Sequence, residues 1–155
     1  EEVGLEFIKE YENRRYDAQL YPRVVPLLIE LRERGISHSI LSAQHQTLLD
    51  DLTQYYNIRD YFIEVIGLDN HYAYSKVENG LKWVEQINLS PKEILLIGDT
   101  AHDFEVAEAI GIDCLLLSQG HNCSNRLKKT GAKVFQNLMD IFSFFNIELV
   151  EIKKN

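Results

Sequence analysis

The stretch EILLIGDTAHD at residues 93–103 decides the fold class of this chain. Its apolar run at 94–97 is typical of a strand that is buried on both faces of a sheet. A glycine ends the run, and Asp99 and Asp103 follow it across a turn into a helical pattern at 103–110. A buried strand, a polar turn and a helix in this order indicate one unit of a parallel α/β sheet.

The same alternation continues on both sides of this unit. The apolar pattern predicts strands at residues 36–41, 62–67, 93–98 and 112–117. Helices are predicted at residues 2–17, 22–34, 47–56, 77–87, 103–110, 125–129 and 137–145. No strand reaches the next through a hairpin turn of the Asn-Gly kind, so parallel strands with helices on both faces are expected. The predicted fold is therefore an α/β three-layer sandwich with a parallel, Rossmann-like sheet.

Composition and charge restrict what the chain can be. With 155 residues, of which 45% are hydrophobic and 26% charged, it is expected to form one globular core. The net charge of −8 argues against nucleic acid as a partner, because such binding depends on Lys and Arg neutralising phosphates. No apolar stretch approaches the roughly 20 residues of a membrane span, and two cysteines, Cys114 and Cys123, make no disulfide framework. We therefore expect a cytoplasmic protein, either a monomer or a homodimer.

The candidate site residues are those that follow the predicted strands. Ligands of an open parallel sheet bind beyond the carboxyl ends of its strands. Asp99 and Asp103 lie at such an end, and together they suit Mg²⁺, which takes oxygen ligands and often only one or two protein carboxylates. The alternative is that both side chains cap the helix that follows, a position that aspartate also favours.

Two further residues, Ser42 and Lys76, follow a predicted strand and open a predicted helix. Each alone is compatible with a simple strand end or a solvent-exposed lysine. In sequence order, however, Ser42, Lys76 and the turn at 98–103 resemble the second, third and fourth motifs of the haloacid-dehalogenase-like superfamily of phosphohydrolases. The resemblance extends from about Tyr21 to Leu138.

This resemblance implies a role for each candidate residue. Ser42 and the backbone N–H of Ala43 would bind the phosphoryl group, and Lys76 would supply positive charge to it during catalysis. Asp99 would ligate Mg²⁺, while Asp103 would hold the water shell of the metal or orient Lys76. The chain would then be part of a Mg²⁺-dependent phosphohydrolase, similar to phosphoglycolate phosphatases, that acts on a small phosphorylated metabolite. A phosphomutase could use the same residues.

The sequence departs from the family at its first motif. No Asp-x-Asp occurs in the 155 residues, although the first aspartate of that motif is the nucleophile of the family. The resemblance places the missing strand at the centre of the sheet, between the strands that end at Ser42 and Gly98. We therefore expect a missing N-terminal segment or a nicked partner chain to carry the nucleophile, and the chain alone to be inactive.

The same reasoning divides the chain into three parts. Residues 1–20 would be the last helix of a helical cap, residues 21–150 the core domain, and residues 151–155 a loose tail. The alternative function is a noncatalytic remnant that binds Mg²⁺, phosphate or a partner without turnover. A response-regulator-like or nucleotide-binding domain is disfavoured, since neither GxGxxG nor GxxxxGK occurs.

The histidines give no sign of a zinc site. None of the five is spaced i, i+4 from another, the spacing that places two ligands on one helix face. The stretch Gly120-His121-Asn122 follows the last predicted strand, and we interpret it as loop geometry.

Overall fold

The described part of the chain alternates parallel strands with helices. The structure is a computed structural model that describes residues 14–69 and 74–145. Its strands are β1 (Ser39–His45), β2 (Glu64–Leu68), β3 (Leu95–Gly98), β4 (Asp113–Leu117) and β5 (Lys133–Phe135). Its helices are α1 (Val24–Glu33), α2 (Gln46–Tyr55), α3 (Tyr74–Ile87), α4 (Ala101–Ile110), α5 (Ser124–Lys128) and α6 (Leu138–Phe144). Short 3₁₀ turns cover Arg59–Tyr61 and Pro91–Glu93.

The strands form two parallel sheets, which confirms the predicted α/β class. β1 pairs with β2, and β3, β4 and β5 pair in that order. The first strand begins later than predicted and continues past Ser42 to His45. β5 was not predicted from the sequence, because three residues are too few to show a period-2 pattern.

Each sheet has its own apolar core. Beside the first sheet, Leu49 of α2 is buried together with Val65 and Leu68 of β2. Beside the second, Val106 and Leu116 of α4 and β4 are fully buried. The helical spacing of apolar residues in α2 and α4 therefore brings each helix onto the strand next to it, as the amphipathic pattern requires.

β1 and β3 are less buried than their outer neighbours. Among the residues that the structure describes, no residue of β1 or β3 is fully buried, and Ile97 of β3 is 40% exposed. Leu115 and Leu116 of β4, which pairs on both sides, are 5% and 0% exposed. Strands inside a parallel sheet are normally covered on both faces and paired at both edges. Among the described residues, β1 pairs only with β2 and β3 only with β4, and we call this break in strand pairing between the two sheets the inter-sheet gap.

Helix α3 contacts elements of both halves of the structure and so connects the two sheets. It packs against β1, β2 and α4, and Trp83 Nε1 donates to Ser39 Oγ over 3.1 Å. Gly80 allows the close approach, because a Cβ there would meet the side chains of Leu41 and Ile110. Among the described residues, no strand pairing joins the two sheets. The side chains of α3 join them by packing instead.

Helix α1 makes a second connection between the two halves. It contacts the Arg59–Tyr61 turn that precedes β2. Its buried Leu27 and Leu31 pack against Leu138 and Phe145, which lie at the two ends of α6. The helix begins after Arg23, which has a φ of 68°, so it starts slightly later than the predicted residue 22.

Part of the predicted organisation lies outside the described residues. Of the helix predicted at 2–17, only Arg14–Asp17 are described, and they form a turn closed by Asp17 N–H donating to Arg14 O over 2.9 Å. The predicted tail at 151–155 is also outside, so the cap and tail assignments remain predictions. Within residues 14–69 and 74–145, no helix has the length and apolarity that crossing a membrane requires. Cys114 and Cys123 are both free thiols.

Candidate active site

Ser42 lies where the regular pairing of β1 stops. Leu41 pairs with Ile66, and the ladder resumes only at His45 with Leu68. Ser42 Oγ accepts a hydrogen bond from Gln44 N–H over 3.1 Å. The ladder is therefore irregular between Leu41 and His45, in the carboxyl-terminal half of the strand, where ligands of a parallel sheet are expected to bind.

The side chain of Gln46 fills the break in this ladder. Its Nε2 donates to Val65 O over 3.0 Å, and its Oε1 accepts from Gly67 N–H over 2.6 Å. An amide carries one donor group and one acceptor, like the backbone that it replaces here. Gly67 is required at this point, because a Cβ would overlap the backbone of Gln44 and Gln46.

Lys76 is buried near the start of α3, with 6% exposure. Its Nζ donates to Asp103 Oδ1 over 2.6 Å. The interpretation of Lys76 as an ordinary solvent-exposed lysine is therefore wrong. A buried ammonium requires a partner of opposite charge, and α4 supplies one.

Asp103 uses both carboxylate oxygens within the fold. Its Oδ2 accepts from Asp99 N–H over 3.1 Å, from Thr100 N–H over 2.9 Å and from the Thr100 hydroxyl over 2.7 Å. Thr100 Oγ1 in turn accepts from Asp103 N–H, which completes a capping box at the start of α4. Gly98 leaves room for this carboxylate, since a Cβ there would overlap it.

These contacts also set the charge state of Asp103. Burial alone raises its pKa, but the hydrogen bond and charge of Lys76, with the hydrogen bonds from Thr100, outweigh burial and hold the pKa below its usual value. Asp103 thus remains ionised and keeps Lys76 in place. Asp103 therefore makes the contacts that both the capping and the Lys76-orienting alternatives require, and a role in metal binding stays a prediction.

Asp99 presents a different environment. Its side chain is 35% exposed, and its Oδ2 accepts from His121 N–H over 2.8 Å and contacts His121 Nδ1 at 2.6 Å. None of the described residues donates a hydrogen bond to Oδ1. A partly exposed carboxylate side chain at the carboxyl end of a strand fits Mg²⁺, which keeps several waters and needs few protein ligands. Within the described ranges no group of three or more His, Cys, Asp or Glu gathers around a point.

Hydrogen bonds join three of the five predicted site residues. Lys76, Asp99 and Asp103 are linked in this way. Ser42 and Ala43 belong to the other sheet, and no hydrogen bond between described residues connects them to these three. All five roles, with Ser42 and Ala43 as phosphate-binding residues, stay predictions.

The sequence-based interpretation missed the role of the loop after β4. His121 and Asn122 were assigned to loop geometry alone, yet Asn122 N–H donates to Asp99 O over 3.2 Å and its Oδ1 accepts from Ala101 N–H over 3.1 Å. The only available signal was position, because this loop follows the carboxyl end of the strand next to β3.

Comparisons with known proteins support the resemblance. Residues 2–117 match the family model described as haloacid dehalogenase-like hydrolase. A phosphoglycolate phosphatase of Vibrio vulnificus (strain CMCP6) is 29% identical over 106 residues, which are 68% of this chain and 46% of that protein. The tyrosine-protein kinase PtkA of Mycobacterium tuberculosis (strain CDC 1551 / Oshkosh) is 24% identical over 74% of this chain and 40% of its own length.

A solved structure supports the same fold. A haloacid dehalogenase-like family hydrolase from Streptococcus pneumoniae superimposes with a TM-score of 0.79 at 20% identity, covering 93% of this chain and 69% of that chain. The chain spans less than half the length of the curated relatives named above.

Proposed function

We propose that this chain, which belongs to the haloacid dehalogenase-like hydrolase family, provides the phosphate-binding and metal-binding part of a phosphatase active site. The proposed substrate is a small phosphorylated metabolite such as phosphoglycolate, the compound in the name of the Vibrio vulnificus relative. The observation that carries the proposal is the buried Lys76 ammonium, which is paired with Asp103, the residue whose other carboxylate oxygen accepts from the Asp99 N–H. A cation fixed in a water-poor site stabilises negative charge on a transferring phosphoryl group.

Each residue would then have one task. Asp99 would hold Mg²⁺ through Oδ1, and Ser42 with the Ala43 backbone would bind phosphoryl oxygens. Lys76 would face the same oxygens, and Asp103 would fix its position. When bound, the metal would neutralise charge on the phosphate.

The nucleophile of the proposed reaction would lie on a strand outside the 155 residues, which contain no Asp-x-Asp. Support comes from the inter-sheet gap, because β1 and β3 each pair with one neighbour only among the described residues. A parallel strand in the gap would unite both sheets and carry its last residue to the edge that holds Asp99. An aspartate there would attack phosphorus, the ester P–O bond would break, and water would hydrolyse the aspartyl-phosphate.

A second candidate function is binding without turnover. It is favoured by one observation, the lack of any Asp-x-Asp among the 155 residues. A chain that retains Lys76, Asp99 and Asp103 would still bind phosphate and Mg²⁺. Such a protein would function by binding phosphate or Mg²⁺ at this site, without hydrolysing a substrate.

A hydrolysis assay distinguishes the two candidate functions. The polypeptide is purified in its native form, its intact mass and N-terminal sequence are determined, and its hydrolysis of phosphoglycolate is then measured. We expect Mg²⁺-dependent turnover if that polypeptide carries the additional strand. Asp99→Asn and Lys76→Met should then each lower kcat/KM by about 10²-fold or more. The control is Asp113→Asn. Asp113 is the first residue of β4, at the end of the strand away from the proposed site, so this change should leave kcat/KM unchanged.

Two results would redirect the proposal. Mg²⁺-dependent hydrolysis by a verified 155-residue chain, abolished in Asp99→Ala, contradicts an external nucleophile. Saturable phosphate binding without turnover in the native polypeptide supports the noncatalytic candidate instead.

A further inference from the structure

The two oxygens of the Asp99 carboxylate have different surroundings. His121 contributes two contacts to Oδ2, one from its backbone N–H at 2.8 Å and one from ring Nδ1 at 2.6 Å. Because a carboxylate only accepts hydrogen bonds, Nδ1 must carry the hydrogen in this contact. Among the described residues no donor reaches Oδ1, so the carboxylate is held by one oxygen and open at the other.

The loop that carries His121 is itself fixed to the Asp99 turn. Asn122 bonds to the backbone on both sides of Thr100, at Asp99 O and at Ala101 N–H. Gly120 lies so close to Asp99 that a Cβ would overlap the carboxylate. Tyr21 Oη donates to Gln119 O over 3.0 Å, which ties the loop to the segment before α1. The His121 backbone therefore has little freedom to leave Asp99.

The imidazole ring of His121 adds a second restraint on rotation of the Asp99 carboxylate. Rotation of the Asp99 side chain about its last bond exchanges the two oxygens, and one donor restrains this rotation less than two donors from different directions. The His121 side chain is 86% exposed, and its Nδ1 contacts Asp99 Oδ2. Such a placement contributes little to the core and is suited to orienting a neighbouring group.

We propose that His121 is a positioning residue that holds Asp99 Oδ2 and thereby directs Oδ1 toward the divalent cation. This inference rests on the proposed function, in which Asp99 is the metal ligand. It assigns to the loop after β4 a part in metal affinity, and it predicts that the ring nitrogen, rather than the bulk of the imidazole, is the required element.

A Mn²⁺-binding measurement on the full chain tests the inference without any assay of turnover. Binding is monitored as the loss of the electron paramagnetic resonance signal of free Mn²⁺. His121→Ala should weaken Mn²⁺ binding by about tenfold, the lower range for loss of a group that orients a ligand. His121→Asn should restore most of the affinity, because Asn Nδ2 occupies nearly the position of His Nδ1. The control His102→Ala removes a ring that contacts Glu105 and not Asp99, and should leave the affinity unchanged.

The variant Asp99→Ala distinguishes a wrong metal ligand from a wrong role of His121. If Asp99→Ala does not weaken Mn²⁺ binding, the proposed metal ligand is wrong. If Asp99→Ala abolishes binding while His121→Ala equals the unmodified chain, the metal site stands and the role of His121 is overturned. Failure of His121→Asn to restore affinity also overturns it, and equal melting temperatures of the variants exclude a loss through unfolding.

Discussion

The ion pair between Lys76 and Asp103 is buried, so its contribution to stability depends on both partners being present. The two side chains are 8% and 11% exposed, with 2.6 Å between Nζ and Oδ1. Each charge was removed from water on folding, and the partner compensates for that cost. Loss of one partner therefore leaves an uncompensated charge in the interior.

Lys76→Met should lower the free energy of unfolding by about 3–5 kcal/mol, because Asp103 would remain buried without its cation. Urea denaturation measures the change. Lys82→Met is the matched control, since Lys82 lies exposed on the same helix, and surface substitutions usually stay within about 0.5 kcal/mol. A similar loss in both variants would contradict the assignment.

His38 gives the fold a dependence on pH near neutrality. Burial lowers the pKa of its imidazole and the charge of Arg32 acts in the same direction, while the Tyr61 backbone opposes them only in part. Neither ring nitrogen makes a hydrogen bond of good geometry with the described residues, and the ring packs edge-on against Phe62. The neutral ring is therefore favoured in the folded state.

The sign of the effect follows from proton linkage. Because the folded pKa lies below the value of about 6.5 in the unfolded chain, the unfolded state binds more protons at acidic pH. Stability should be unaffected by His38 above pH 6.5 and fall as the pH drops below it. Thermal unfolding between pH 5 and 8 should show this fall, reduced in His38→Leu and retained in the exposed control His45→Leu.

For the individual site residues, the sequence predicted the type of chemistry but not the contacts that surround each side chain. The order of Ser42, Lys76, Asp99 and Asp103 was enough to select the family that the comparisons support. The burial of Lys76 and the contact of His121 with Asp99 depend on helices and loops far apart in the chain. No local pattern records such contacts.

Among the secondary-structure elements, β1 and β2 approach each other closely at Gly67. Gly67 of β2 lies against the backbone of Gln44 and Gln46, and the Gln44 N–H donates to Ser42 Oγ. The Gln46 amide also depends on this approach, since it accepts the Gly67 N–H.

Gly67→Ala should therefore destabilise the fold by about 1–3 kcal/mol, the usual cost of inserting a methyl group into a filled space. Gly80→Ala is the comparison, because its Cβ would meet only the ends of the Leu41 and Ile110 side chains. Alanine also favours a helix by about 1 kcal/mol over glycine, so Gly80→Ala should be close to neutral. Chemical denaturation of both variants gives the difference, and an equal cost would contradict the close approach at Gly67.

Element boundaries show where sequence patterns stop being informative. Helices α2 to α6 begin within about three residues of their predicted starts, because amphipathic spacing is set by burial. β5 consists of Lys133, Val134 and Phe135 only. Its position depends on pairing with β4, and Lys133 Nζ lies over the rings of Phe135 and Phe144. Such long-range contacts are invisible to a local pattern.

Across the described residues, β1 and β3 are not paired with each other. The missing Asp-x-Asp motif predicts an absent strand between them, and that strand stays a prediction. The interpretation of residues 1–20 as part of a cap stays a prediction. Its basis lies mostly outside the described residues.

The connection of the two sheets through α3 affects how parts of the native structure open locally. With no shared ladder, the β1–β2 pair and the β3–β4–β5 sheet can open separately, because cooperative opening units follow hydrogen-bonded and packed motifs. Native-state amide exchange should therefore give β2 and β4 different opening free energies and different denaturant slopes. A polypeptide whose gap is filled by a strand should instead protect both sheets through one common opening, and an identical response of the two sheets in the 155-residue chain would contradict this picture.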